Sequence, residues 1–152
     1  MKKLWILFIG VILTSFAVLL WLGAEIYREA PPIPSAVVLT DGRILIAPGE
    51  ISNGQNVWQA MGGMQVGSVW GHGSYVAPDW SADYLHRESV FILNEWSNAE
   101  FGKTYDASGS EQQAVLRQRL QDLMRKNTYD ATTGTITLDP IRERAFEENL
   151  KY

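Results

Sequence analysis

The chain has 152 residues, 46% of them apolar, with 13 basic against 17 acidic side chains, two histidines and no cysteine. The missing thiols exclude a disulfide framework, cysteine-ligated zinc and thioether attachment of a c-type haem. The acidic balance excludes nucleic acid as the natural partner, because phosphate binding needs clustered Lys and Arg.

Residues Leu4 to Leu22 form a 19-residue stretch without a charge. At about 1.5 Å per residue they match a hydrocarbon layer roughly 30 Å thick. A cleaved leader ending near Gly23-Ala24 is the competing reading, but such leaders have shorter apolar regions of about 7–15 residues. Lys2 and Lys3 before the span, against Glu25, Arg28 and Glu29 after it, place the N-terminus on the cytoplasmic side and the remainder outside. Trp5, Trp21 and Tyr27 stand where aromatic rings favour the headgroup layer. With Lys2 and Lys3 set aside, 11 basic residues face 17 acidic ones, a balance of −6. About 125 residues beyond the span suffice for one domain. The expected organisation is an anchor over 1–23, a proline-rich stem over 24–35 and one domain over 36–152.

Pro31-Pro32-Ile33-Pro34 predicts a stiff extended stem. Ala36–Thr40 and Arg43–Ile46 are apolar, strand-prone runs around Asp41-Gly42, which predicts a short β-hairpin with a two-residue turn. Ser52 or Asn53 is a candidate cap for a helix reaching Met61, with Val57, Trp58 and Met61 on one side and Gly62-Gly63 as its stop. Gly62 to Gly73 holds five glycines without periodicity, so a loop is predicted through Pro78. Asp79 or Ser81 then caps a helix over 82–97, with Tyr84, Leu85, Phe91, Ile92 and Trp96 at helical spacing. Ser110-x-x-Gln113 has capping-box form and starts a helix reaching Asn127, striped by Leu116, Leu120, Leu123 and Met124. Thr132–Leu138 reads as a turn and short strand, and Asp139-Pro140 opens a last helix.

Chemistry-bearing residues are sparse. His72 and His86 lie 14 positions apart, with no cysteine to complete a metal set. His86, beside Arg87 and Glu88, reads as a surface or interface residue. His72 between two glycines reads equally as a surface residue or as a ring brought close to backbone or a solvent channel. Ser68 and Ser74 lack a nucleophile-elbow context. Asp79, Glu88 and Glu95 read as a solvated helix face, and Gly71-His72-Gly73 lacks the frame of a phosphate loop. Trp58, Trp70, Trp80 and Trp96 cluster in the middle third. A domain core is the ordinary explanation and a docking surface the alternative.

The string Gly54-Gln55-Asn56-Val57-Trp58-Gln59, then Gly62-Gly63, then Gly67 through Glu88 (GSVWGHGSYVAPDWSADYLHRE) resembles the N-terminal region of quinol-dependent nitric oxide reductases. The resemblance continues through Asn127-Thr128-Tyr129-Asp130 and Leu138, and so covers the whole chain, anchor included. It implies a mainly α fold with a short β-hairpin: one transmembrane helix, then a periplasmic cytochrome-c-like domain on the outer side of a bacterial inner membrane. In that family this region precedes a catalytic core that holds haem b, haem b₃ and a non-haem iron and turns nitric oxide into nitrous oxide in denitrification.

Related enzymes driven by cytochrome c keep this domain as a haem-bearing subunit, with a C-x-x-C-H site ahead of the G-x-G-x-Tyr-x-Ala-Pro stretch. By that resemblance Gly63, Val66 and Gly67 stand where the two cysteines and the axial histidine would be. The implied domain is therefore haem-free, with no cofactor or metal of its own and no catalytic residue. Trp58, Trp70 and Trp80 are expected to fill the vacated pocket. The core would follow Tyr152, so the chain is expected to be a split subunit or a fragment whose partner is that core. Gly71, His72, Gly73, Tyr75, Pro78, Asp79, Trp80 and His86 are the candidates for an interface with the core or for a proton or water route. A free-standing anchored adaptor for another envelope protein is the alternative function, and a small-ligand receptor in the vacated pocket a lesser one.

Overall fold

The computed structural model describes residues 2–152. It divides into two compact units, up to Ile33 and from Pro34 onward.

The first unit is a single helix, α1 (Lys2–Glu29), of 28 residues, with no buried side chain. It is long and apolar enough to cross a membrane. At 1.5 Å per residue it reaches about 42 Å, past the predicted Leu22 end. Residues 24–29, expected in the stem, are therefore helical. The stop comes where Pro31 and Pro32 disfavour helical geometry in the residue before each of them and remove amide donors.

The second unit begins with strands β1 (Ala36–Leu39) and β2 (Ile44–Ile46). They pair antiparallel as the hairpin the sequence predicts. The turn, however, has three residues: the Leu39 amide donates to the Arg43 carbonyl, and only Gly42 takes positive φ, at 86°. That is the loop in which one left-handed glycine closes a type I turn. Helix α2 (Glu50–Ala60) starts before the predicted Ser52/Asn53 cap. Gly49 turns the chain at φ 84°, and the Glu50 carboxylate accepts the Ala47 amide at 2.8 Å.

The glycine-rich stretch, predicted as plain loop, contains a one-turn helix α3 (Gly63–Val66) and a small hairpin of β3 (Ser68–Val69) and β4 (His72–Gly73). Helix α4 (Trp80–Phe101) is longer than predicted and is capped by Asp79, whose carboxylate accepts the Ala82 amide. Helix α5 (Ser110–Arg125) follows. Its entry bond is made one residue early, with Gln112 Oε1 accepting the Gly109 amide instead of a Ser110/Gln113 box. Strands β5 (Tyr129–Asp130) and β6 (Thr135–Leu138) form a second hairpin, and helix α6 (Pro140–Asn149) closes the fold. As predicted, Pro140 sits in its first turn, and Asp139 accepts the Ile141 amide.

The fold is mainly helical, but its strands exceed the predicted single hairpin. Beside the separate two-stranded sheet of β3 and β4, four of them join in a sheet of order β2-β1-β6-β5, where β1 lies parallel to β6 in the register Ala36↔Thr135 to Leu39↔Leu138. This pairing ties the start of the domain to its last third, helped by the Ser35 amide donating to the Gly134 carbonyl at 2.7 Å. Ile92, Ile141 and Ala145 form the buried centre, with Phe91, Trp96, Leu120 and Leu123 against them, so the core belongs to α4, α5 and α6.

One ion pair crosses the edge of this core. Glu88 is fully buried and accepts from Arg142 Nε at 2.7 Å and Nη2 at 3.3 Å. The solvated face expected for Glu88 is thus corrected, because α6 carries Arg142 onto α4 and a buried carboxylate needs such a partner. Glu95 does lie nearer the surface and pairs with Arg144 at 2.6 Å.

Candidate functional site

The residues singled out in the sequence from Gly71 to Trp80 lie on the segment joining β3 to α4, and His86 lies apart on α4. Trp70 and Gly71 form the tip of the β3–β4 hairpin, with φ of 53° and 76°. Two consecutive positive φ values make the type I′ turn that suits the right-handed twist of paired strands. Gly71 adopts this freely. Trp70 is the one non-glycine residue with positive φ among the described residues, and a bulky side chain there costs roughly 1 kcal/mol.

Asp79 fixes this turn. Its Oδ2 accepts the Ser68 hydroxyl and the Gly71 amide, each at 2.7 Å, while Oδ1 accepts the Ala82 amide at 2.8 Å. Ser81 Oγ accepts the Trp70 amide at 3.1 Å, and the Ser68 amide donates to the Pro78 carbonyl at 3.0 Å. Donation from Ser68, Ala82 and Gly71 stabilises the carboxylate and lowers the Asp79 pKa below the usual aspartate value. Asp79 is therefore a fixed anion that both caps α4 and clamps the hairpin. Gly73, at φ 141°, lets the return strand cross closely, since a Cβ there would meet the Gly67 carbonyl oxygen at 2.3 Å.

The clamp turns apolar side chains outward. Trp70 is 73% exposed, Tyr75 99% and Val76 97%. His72 and Pro78 lie at or near the surface as well. His86 is exposed on α4, where it borders a hollow of about 400 Å³ with Arg87, Phe91 and Tyr152. The Arg87 guanidinium stacks on the Tyr152 ring there at 3.8 Å. Among the described residues no group of three His, Asp or Glu side chains could hold a metal ion.

The tryptophans divide, and none belongs to the fully buried core. Trp96 packs beside the core under the Arg119 guanidinium, 4.2 Å from its ring. Trp70 points away from the domain instead of filling a pocket, because the turn that carries it presents its tip to solvent. Trp58 and Trp80 instead lie edge-on against Gly63 and Gly67, with Trp80 still 41% exposed. A Cβ on Gly63 would lie 2.3 Å from Trp58 Nε1, and one on Gly67 2.0 Å from Trp80 Nε1. Gly63, Val66 and Gly67 offer no thiol and no imidazole, and indole edges cover the first and the last. These residues do not fit a covalently attached, axially ligated haem.

The sequence offers Ser81 only as an alternative cap for α4, gives Val76 no role and misplaces Trp70. A signal for Val76 and Trp70 is present in it: from Ile51 to Pro78 there are 28 residues without a single Asp, Glu, Lys or Arg.

A comparison with curated proteins returns no match. A family model, the cytochrome c-like domain of the nitric oxide reductase NorB, matches residues 34–152, the whole of the second unit and well over half of the chain. The resemblance, the mainly helical domain and the apolar N-terminal helix agree with that match, and the chain belongs to the NorB cytochrome c-like domain family of nitric oxide reductases.

Proposed function

We propose that this chain is the non-catalytic, membrane-anchored extracytoplasmic domain of a quinol-dependent nitric oxide reductase, and that it serves as a scaffold on the outer side of the catalytic core. The observation that carries this reading is the pair of indole edges against Gly63 and Gly67. A domain with tryptophan where a porphyrin edge would lie, and without thiols, has no haem with which to pass electrons from a soluble donor. Electrons then reach the core by another route, as a membrane quinol would supply them. The organisation proposed is an anchor over 1–23, a stem over 24–35 whose first part continues α1 through Glu29, and the domain over 36–152, with the N-terminus cytoplasmic.

The exposed apolar tip also suits the alternative of a free-standing adaptor for another envelope protein. One purification separates the two readings. The tagged chain is extracted from membranes that contain the family's catalytic core, and the eluate is assayed for a large haem-b polypeptide and for reduction of nitric oxide. Recovery of both supports the scaffold. Recovery of a different envelope protein, with neither activity nor haem b, supports the adaptor.

A further inference from the structure

The 28 residues from Ile51 to Pro78 carry no Asp, Glu, Lys or Arg in a chain that is 20% charged overall. They fold into a lobe in which α2 packs on α3 and α3 packs on both strands of the β3–β4 hairpin. This lobe leaves most of its large apolar side chains outside. Helix α2 has no buried residue, and α3 buries only Gly63. Val57, Met61, Met64, Val66, Trp70, Tyr75 and Val76 are all exposed. An 11-residue helix is marginal on its own and ordinarily gains stability by burying an apolar stripe against its own domain. Trp70 adds backbone strain that nothing in the domain's packing repays, since its ring is solvent-exposed. Its turn is nonetheless held by Asp79 and Ser81, so the tip is ordered before anything touches it.

We propose that this charge-free lobe is the surface by which the domain docks on the catalytic core, with Trp70, Tyr75 and Val76 as its anchoring side chains and an uncharged, apolar recess as their receptor. The proposal rests on the scaffold reading above and assigns the surface that the reading requires. Charge selects protein over lipid as the occupant. Binding to an anionic membrane surface relies on Lys and Arg, of which the lobe has none, and the chain beyond Lys3 carries a balance of −6. Tryptophan and tyrosine on a rigid support are instead the side chains that dominate protein interfaces.

The test uses the tagged full-length chain co-expressed with the core. Four forms are compared: wild type, Trp70→Gly, the double variant Tyr75→Ser/Val76→Ser, and Val115→Ser, which removes an exposed valine on α5. A photo-crosslinking residue is placed at 76 and, separately, at 115. Glycine accepts the positive φ at position 70, so Trp70→Gly keeps the turn and the melting temperature. The expected result is that core recovered per tagged chain falls more than about tenfold in Trp70→Gly and in the double variant, while Val115→Ser matches wild type. Crosslinks from position 76 reach the core polypeptide, and those from 115 do not. If wild type retains the core and both lobe variants retain it equally, the surface assignment fails while the scaffold reading stands. Adducts from position 76 on phospholipid alone overturn the choice of partner. If wild type retains no core, both readings fall.

Discussion

Asp79 Oδ2 accepts the amide proton of Gly71 across 2.7 Å, so a helix-capping carboxylate also sets the tip of a hairpin eight residues upstream. The same oxygen takes the Ser68 hydroxyl, which makes the start of α4 and the β3–β4 hairpin one cooperative unit.

The clamp has a pH signature. Hydrogen bonds from Ser68, Ala82 and Gly71 hold the folded-state pKa of Asp79 below its unfolded value of 3.8. The stability it contributes is therefore complete above that value and is lost as pH falls through the lower folded value. Asp79→Asn should melt below wild type by a constant margin from about pH 8 to pH 5, and the margin should close as the buffer is taken below about pH 4. Thermal melts across that range check this. A margin that persists at the acid end would show that the carboxylate charge is not what holds the turn.

The buried Glu88–Arg142 pair predicts an asymmetric mutational response. Glu88→Ala should cost about 3 kcal/mol, and Arg142→Ala at least as much, because it strands a buried carboxylate. Replacing both, as Glu88→Met with Arg142→Leu, should cost far less than either single change, since apolar groups of similar size fill the site. Denaturant titration of the four proteins measures the coupling. Simple additivity would mean that the two side chains act independently.

The close approach of Trp58 to Gly63 and of Trp80 to Gly67 predicts a steric penalty of a particular kind. Gly67→Ala should destabilise by about 1–3 kcal/mol through collision with the Trp80 ring, and Gly63→Ala by a similar amount against Trp58. The penalty for Gly67→Ala should shrink in a Trp80→Leu background. Equal penalties in the two backgrounds would place the conflict elsewhere.

Much of the chain was legible where a short-range rule decides the outcome. The uncharged run from Leu4 had to be a membrane-length helix, Asp139-Pro140 had to open a helix, and Asp41-Gly42 had to turn between two strands. The errors arose where a distant partner decides. Glu88 looked solvated because Arg142, its counter-ion, stands 54 residues away on a helix whose docking no local pattern encodes. The parallel pairing of β1 with β6 joins segments about a hundred residues apart for the same reason. The tryptophans looked like a core because aromatic residues usually are one. The actual core is aliphatic, and the rings at 58 and 80 serve a local purpose, covering two glycines. Of the clamp, Asp79 was legible as a helix cap from its own sequence context. Trp70 required knowing that the hairpin turn is type I′ and faces outward.

Whether the domain has given up its haem is decided most directly by the porphyrin content of this chain alone. The tagged chain is purified from membranes of cells competent for c-type haem attachment, separated from any core polypeptide under mild dissociation, and assayed for porphyrin per mole by its visible spectrum. A folded, helical chain with essentially no porphyrin is expected, any haem remaining with the core fraction. One haem per chain, held through dissociation, would contradict the haem-free scaffold.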